Sequence, residues 1–212
     1  MKTLTVPYLN FLSNASIEAV SIELNELERH KIDQQPWSEY AYKPTVSFSI
    51  AHSGSMLFLK YFVLESTVRV LYVQPNDPVY KDICVEFFIA MEGDQRYYNF
   101  EFNAIGTCKL NFGTDRNNRK LIFDQAILDI RFMTSITNTS TDGNLSWQIT
   151  IAIPLSTFTE HTLASFRGSA WRGNFYKCGD ELPKPHFLAW NNVTAPSPDF
   201  HVPESFSDIL FE

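Results

Sequence analysis

The stretch DICVEFFIAMEGDQRYYNFEFN, from Asp82 to Asn103, decides the fold. It contains two runs rich in aromatic and β-branched residues, separated by a turn signal at Gly93 and Asp94, and this pattern predicts a β-hairpin. A turn centred there pairs positions whose numbers sum to about 187, because antiparallel strands advance in opposite directions. The register of the predicted hairpin follows from that sum.

The two faces of the predicted hairpin differ in chemistry, since successive side chains of a strand point to opposite sides. One face is apolar and suits a core: it pairs Val85 with Phe102, Phe87 with Phe100 and Ile89 with Tyr98. The other face mixes carboxylates, amides and rings: it pairs Cys84 with Asn103, Glu86 with Glu101, Phe88 with Asn99 and Ala90 with Tyr97.

Glu86 and Glu101 face each other directly in this register. Two opposed carboxylates repel, so the pair needs a cation, a shared proton or a ligand that donates hydrogen bonds. Sugars suit such a face, because their hydroxyls donate to carboxylates and amides while their C–H surfaces lie on aromatic rings. The alternative is that Lys60 or Arg69 on a neighbouring strand pairs with the glutamates and the face is merely solvated.

Short strand-like runs recur from residue 46 onward, separated by turn clusters, and this spacing predicts an all-β fold, an antiparallel β-sandwich of the jelly-roll or immunoglobulin-like kind. We interpret 1–212 as a single domain, with a wrap over 1–45 and the sandwich over 46–212. Trp37 is expected to plug one end of the core. The predicted strands are 46–52, 56–64, 67–73, 82–90, 97–103, 107–112, 130–135, 147–154, 171–178 and 186–190.

Charge and composition exclude several classes of protein. The net charge is −7 with no run of basic residues, so nucleic acid is not an expected partner. No apolar stretch approaches the ~20 residues of a membrane span, and no segment resembles a signal peptide, so we expect a cytoplasmic protein unless a leader has been trimmed. Three cysteines without C-x-x-C spacing argue against a disulfide framework and against a zinc site. The oligomeric state stays open.

A later strand and the loop after it extend the polar face. In WRGNFYKC, Phe175 is expected to face the core, which directs Asn174, Tyr176 and Cys178 to the other side. The loop WNNVTAPSPDFHVPE is rich in Pro and Asn and contains Phe200 and His201. Loops often carry function, although Phe200 would serve equally well as a lid on the core and His201 as a structural histidine.

Several blocks taken together resemble the family 9 carbohydrate-binding modules and their stand-alone relatives in gut bacteria, within the DOMON-like superfamily. The similarity covers roughly residues 40–212 and extends into the wrap in the stand-alone relatives. The blocks are VEFFI, YYNFEFNAIGT, WQITIAIP, RGNFYKCGD, HFLAWN and PDFHVPESFSDILFE.

The resemblance implies a sugar, often at a chain end, clamped between two rings and held by polar groups. The rings fall on Tyr80 and Phe200, and the glutamate of the first block falls on Glu86. Two positions depart from the family pattern, since Tyr176 stands where an amide is usual and Glu101 stands where a basic residue is usual. Asn99 and His201 complete the candidate binding set. The family sandwich often holds structural calcium, whose ligands we do not place.

Carbohydrate binding, of a mono- or oligosaccharide and in the service of carbohydrate catabolism, is therefore the leading hypothesis. A glycoside hydrolase that uses Glu86 and Glu101 is the enzymatic alternative, because hydrolases need paired carboxylates about 5 Å or 6.5 to 9.5 Å apart. A non-catalytic protein-interaction domain is a further alternative. Haem binding through Met91, Met133 and His52 is a fourth, suggested by the superfamily.

Overall fold

The structure is a computed structural model that describes residues 2–11, 15–139 and 144–212. Two β-sheets pack face to face around an apolar core, and every strand pair within the described residues is antiparallel except that of the first and last strands. This is the predicted antiparallel β-sandwich. In chain order the strands are β1 (Thr3–Val6), β2 (His30–Lys31), β3 (Thr45–His52), β4 (Met56–Glu65), β5 (Cys84–Met91), β6 (Tyr97–Asn103), β7 (Cys108–Gly113), β8 (Arg119–Leu121), β9 (Arg131–Thr139), β10 (Asn144–Pro154), β11 (Ala170–Cys178), β12 (Phe187–Ala189) and β13 (Ser207–Phe211).

The larger sheet has the order β1-β13-β11-β5-β6-β7-β8, with β12 joined to β11, and the smaller sheet has the order β2-β3-β4-β10-β9. Two helices accompany them, α1 (Ile17–Glu26) and α2 (Asp124–Leu128). Short 3₁₀ turns occupy Val79–Lys81, Leu155–Thr157 and Pro203–Ser205. Neither helix of the described chain has the length and apolarity that crossing a membrane requires.

The register of the central hairpin is the predicted one. Glu86 lies opposite Glu101, and the pairing runs from Cys84 with Asn103 to Ile89 with Tyr98. Gly93 takes a φ of 78° in the connecting turn, a conformation that glycine adopts without steric cost. The face of Val85, Phe87 and Ile89 lies in the core between the sheets, as expected.

Two further apolar clusters lie outside the sandwich core. Helix α1 covers the outer face of the smaller sheet, where its Val20 and Leu24 pack with Phe58. A second cluster, which we call the outer cluster, covers the outer face of the larger sheet. The hairpin's second face is therefore buried and not open to solvent. The members of the outer cluster are Trp37, Val79, Cys84, Phe88, Ala90, Tyr97, Tyr176, Cys178, Ala189, Val193, Phe200 and Phe206.

The prediction of a strand over 67–73 is wrong. The segment has no regular secondary structure and joins no sheet, because the fully buried carboxylate of Asp82 accepts the backbone N–H groups of Leu71 and Tyr72 at 3.0 and 3.1 Å. Asp77 accepts the next two N–H groups in the same way. Side chains thus take the hydrogen bonds that a strand partner would supply.

The wrap contributes strands to both sheets. β1 pairs in parallel with β13, and β2 pairs with β3. The wrap also contains the helix Ile17–Glu26, which begins with the Ser16 hydroxyl accepting the N–H of Ala19. Trp37 does not plug an end of the core as expected; it lies in the outer cluster.

The candidate haem ligands are not brought together. Met91 lies in the core between the sheets, whereas Met133 is paired with Thr150 in the smaller sheet. His52 packs against the rings of Tyr8 and Phe211. The haem hypothesis therefore receives no support from this arrangement.

Candidate functional site

A pocket of about 90 Å³ opens at the edge of the outer cluster, over the polar end of the hairpin. Five of the seven predicted binding residues line it: Tyr80, Glu86, Glu101, Phe200 and His201. The remaining lining residues are Arg116, Arg119, Cys178, Asp180, Phe187, Pro198 and Asp199. Tyr176 and Asn99 do not line the pocket.

Three parts of the chain position the lining side chains. Glu86 on β5 and Glu101 on β6 meet because they are register partners. Tyr80 lies in the 3₁₀ turn Val79–Lys81, whose backbone carbonyl at Tyr80 accepts the N–H of Asp180 at 3.2 Å. Phe200 and His201 come from the loop between β12 and β13.

Asn174 on β11 holds both ends of that loop. Its side-chain amide donates to the carbonyl of Asn191 at 2.9 Å, and its amide oxygen accepts the Asn191 N–H at 3.0 Å. The Asn191 side chain in turn donates to the carbonyl of Ser205 at 2.7 Å. The two ends of the loop are thereby fixed to one point of the sheet.

A layer of stacked rings supports the pocket from below. Phe200 lies flat on Tyr176, with ring centroids 4.2 Å apart and an interplanar angle of 11°, and the Tyr176 hydroxyl donates to the Phe200 carbonyl. The rings of Trp37 and Phe200 also pack together, with centroids 5.8 Å apart, and Trp37 donates its indole N–H to the carbonyl of Ala195. Tyr176, predicted to contact ligand, is fully buried and supports Phe200 instead.

Asn99 lies one layer below the pocket. It is buried, and its amide donates to Glu101 Oε1 at 2.7 Å. We interpret it as a residue that orients Glu101. The second oxygen of Glu101, Oε2, is buried and has no hydrogen-bond partner among the described residues.

Arg119 on β8 is the cation nearest the opposed glutamates. Its Nη1 lies 3.7 Å from Glu101 Oε1. The alternative that Lys60 or Arg69 pairs with the glutamates is wrong, because Lys60 binds Ser21 and Asn25, while Arg69 pairs with Asp82 and Glu181.

Arg119 also determines the state of His201. Its Nη1 donates to His201 Nε2 at 3.0 Å, and a guanidinium can only donate, so Nε2 accepts and the proton lies on Nδ1. That nitrogen donates to the Tyr97 hydroxyl oxygen at 2.8 Å. Burial, reinforced by the charges of Arg119 and Arg116, lowers the pKa of His201 to about 3. His201 is therefore a neutral, fixed part of the wall.

Burial shifts the acids of the pocket in the opposite direction. It raises the pKa of Glu86 well above its usual range, helped by the nearby charge of Glu101. It raises the pKa of Glu101 to about 7, although Arg119 opposes this shift. It also raises the pKa of Asp180 to about 6. The pocket can therefore both donate and accept hydrogen bonds through its carboxyl groups near neutral pH.

Sequence reasoning missed the basic wall of the pocket. Arg116 lies in the turn after β7 and Arg119 is the first residue of β8, and β7 pairs with both β6 and β8. The turn signal in GTDRNNR, next to a strand beside the hairpin, indicates that these arginines return towards Glu101. Arg116 is exposed and forms no hydrogen bond or ion pair with another described residue.

Comparison with known proteins places this chain in a family. The model of carbohydrate-binding family 9 matches residues 17–211. The chain belongs to this family. The resemblance seen in the sequence blocks is thereby confirmed.

Solved structures agree with the family assignment. A candidate carbohydrate-binding protein from Bacteroides uniformis is 37% identical, with a TM-score of 0.92 and coverage of 100% of this chain and 99% of that one. A family 9 carbohydrate-binding module from Caldicellulosiruptor kristjanssonii in complex with glucose is 13% identical, with a TM-score of 0.62 and coverage of 100% and 96%. A family 9 module from the same organism in complex with cellotriose is 13% identical, with a TM-score of 0.60 and coverage of 100% of this chain and 94% of that one. These two show a shared fold. A search of curated proteins finds no match.

Proposed function

We propose that this family 9 chain binds a sugar in the pocket over the hairpin, at the end of a glycan chain or as a single unit. The observation that carries the proposal is the convergence of Tyr80 and Phe200 with Glu86 and Glu101 around one opening. Rings beside fixed carboxyl groups match the alternating C–H and hydroxyl surfaces of a sugar. The small volume of the pocket, about 90 Å³, favours one terminal unit over an extended chain.

The polar wall supplies unused hydrogen-bonding capacity. Glu101 Oε2 is a buried acceptor with no partner among residues 2–11, 15–139 and 144–212, and such a group is costly unless a ligand or water satisfies it. Arg116 offers a free guanidinium at the mouth. The two groups together can accept from one sugar hydroxyl and donate to another.

The proposal is tested by calorimetric titration of a panel of mono- and oligosaccharides into the wild type and into Tyr80→Ala and Phe200→Ala. We expect each variant to weaken binding by about 10-fold to 100-fold, since each removes an apolar contact of about 1.5–3 kcal/mol. Phe123→Ala, at a ring that is 85% exposed and away from the pocket, is the control and keeps wild-type affinity. Unchanged affinity in both pocket variants removes the ring-clamp model.

The hydrolase alternative rests on the register pairing of Glu86 with Glu101, which brings two carboxyl groups to about the spacing of a retaining enzyme. The raised pKa of Glu101, about 7, is also that of a general acid. Against it, the residues are only 4% and 2% exposed, which leaves little room for attack on a glycosidic bond. Release of chromophore from aryl glycosides by the wild type but not by Glu86→Gln would establish hydrolysis and displace pure binding as the function.

A further inference from the structure

Two thiols and a carboxyl group meet beneath the pocket. Cys84 and Glu86 are two positions apart on β5 and so point to the same face, and Cys178 on β11 is the register partner of Cys84. The two sulfur atoms and a carboxylate oxygen all lie within 4.8 Å of one another, and all three residues are buried. Cys178 Sγ lies 3.0 Å from Glu86 Oε1.

These distances suit a tetrahedral metal ion. Bonds of about 2.3 Å to sulfur and about 2.0 Å to oxygen give ligand separations of about 3.5–3.8 Å in a tetrahedron. The cluster spans this range, so the side chains reach such positions by small rotations. Thiolates select zinc over calcium, which takes oxygen ligands, and the structural calcium implied by the family does not fit here.

The position of the cluster leaves one coordination site open. Glu86 and Cys178 line the pocket, while Cys84 lies beneath them in the outer cluster. Zinc with three protein ligands and an exchangeable fourth position has this arrangement. A water molecule or another oxygen ligand would enter from the pocket.

The charges around the cluster favour a cation. Glu86 faces Glu101, whose Oε2 is buried and has no hydrogen-bond partner in the described part of the chain, and the Arg119 guanidinium lies 3.7 Å from the other oxygen of Glu101. Burial favours a proton on Glu86, and a positive ion that takes the place of this proton lets both carboxyl groups ionise with their charges compensated. This is a separate reason from the ligand geometry.

We propose that Cys84, Glu86 and Cys178 form a zinc site whose fourth position opens into the pocket. The spacing of the cysteines in the sequence argued against zinc, and that expectation overlooked ligands from two neighbouring strands. The titration below contains no sugar, so its result is independent of the proposed function.

The test is a titration of Co²⁺, a spectroscopic substitute for zinc, into chelator-treated and fully reduced full-length protein. We expect one equivalent to bind with a thiolate-to-cobalt charge-transfer band in the near ultraviolet and intense tetrahedral bands in the visible, both abolished by zinc. Cys84→Ser and Cys178→Ser each weaken metal binding by about 100-fold or more. This loss exceeds the one expected for a residue that only hydrogen-bonds to a metal ligand. Cys108→Ser, at the third buried cysteine and outside the cluster, keeps the wild-type spectrum.

A cobalt spectrum without the charge-transfer band, or wild-type cobalt affinity in both Cys84→Ser and Cys178→Ser, overturns the proposal. Circular dichroism of each variant verifies folding. Should Cys84→Ser not fold, X-ray absorption on the zinc-loaded wild type decides. Two sulfur neighbours around the zinc support the site, and the absence of sulfur neighbours refutes it.

Discussion

Glu101 shows how one residue changes the chemistry of a family position. The resemblance implies a basic residue at this position, and a carboxylate there removes a hydrogen-bond donor to a sugar hydroxyl. In the structure a positive charge comes from the neighbouring strand β8, where Arg119 Nη1 lies 3.7 Å from Glu101 Oε1. The two side chains form a paired unit in which the carboxylate reaches the pocket floor and the guanidinium forms the wall.

Removing the cation from this pair should destabilise the protein. In Arg119→Met the nearly buried Glu101 loses its partner, so we expect the free energy of unfolding to fall by about 1–3 kcal/mol, less than for a fully buried pair because the arginine side chain is 17% exposed. Urea denaturation measures the loss. The double variant Arg119→Met, Glu101→Gln should recover part of it, and a strictly additive double variant would contradict the pairing.

A buried network of polar side chains lies at the C-terminal end of β11. Lys177, fully buried, lies 3.2 Å from Glu65 Oε2 and donates to His186 Nε2 at 2.8 Å. Burial, reinforced by the charge of Lys177, lowers the pKa of His186 to about 3. His186 therefore stays neutral in the folded state at pH values where the unfolded chain is protonated.

The sign of the resulting pH dependence follows. Between pH 6.5 and about 3 the unfolded state binds the extra proton, so His186 stabilises the fold less as the pH falls, by up to about 1.4 kcal/mol per pH unit. The stability of the wild type relative to His186→Gln should decline from pH 6 to pH 4. Denaturation of both proteins at each pH measures this, and NMR should show the imidazole signals of His186 unchanged over the range. A constant difference between the two proteins would refute the low pKa.

At the scale of elements, Asp82 replaces a strand partner for the segment 67–73. Its carboxylate accepts from the backbone of Leu71 and Tyr72, pairs with Arg69 and accepts from Asn103. A single buried side chain thus connects an irregular segment to the end of β6. The alternation of apolar residues in TVRVLYV indicated a strand because local pattern carries no information about a carboxylate further along the chain.

Asp82→Ala should loosen this segment. It leaves the part-buried N–H groups of Leu71 and Tyr72 and the buried amide of Asn103 without their acceptor, and we expect a loss of about 3 kcal/mol or more in unfolding free energy. Hydrogen exchange at the amides of Leu71 and Tyr72 should accelerate. Asp77→Ala, which removes an exposed acceptor from Val73 and Gln74, is the matched control and should cost about 1 kcal/mol. Equal effects of the two substitutions would show that Asp82 has no special role.

The central hairpin was predictable because its two faces differ so strongly. A shift of one residue would move Phe87 and Phe100 out of the core, so the apolar pattern permits one register. The pocket's position followed from the same pattern through Glu86 and Glu101. Trp37 was assigned to the wrong cluster, and Arg116 and Arg119 were not placed, because all three take their positions through turns and tertiary packing that leave no periodic signal.

On the scale of the whole molecule, the first strand closes the larger sheet. β1 pairs in parallel with β13, and its Leu4 and Val6 are buried in the core. The family match begins only at residue 17, whereas the Bacteroides uniformis structure matches the whole chain. The first strand is therefore shared with that structure and lies outside the part matched by the family model.

Deleting residues 1–6 should uncover the edge of β13 and two core positions. We expect a lower melting temperature and self-association, since an exposed edge offers unpaired N–H and C=O groups to another chain. Thermal denaturation and size-exclusion chromatography measure the two effects. Thr3→Ala and Thr5→Ala, on the exposed side of the same strand, should leave both unchanged. A deletion variant as stable and as dispersed as the wild type would contradict this role.

The hydrogen bonds by which Asn174 and Asn191 fix both ends of the loop have a practical consequence for engineering. Because both ends of the loop that carries Phe200 and His201 are fixed at one point, its tip can change length without moving the strands, and lengthening such a loop adds little closure entropy. The tip of the loop can therefore be exchanged while the strands that carry it stay in place. Libraries that vary only Ser197 to Asp199 can therefore search for new ligand preferences while Phe200 and His201 keep their contacts with the sheet.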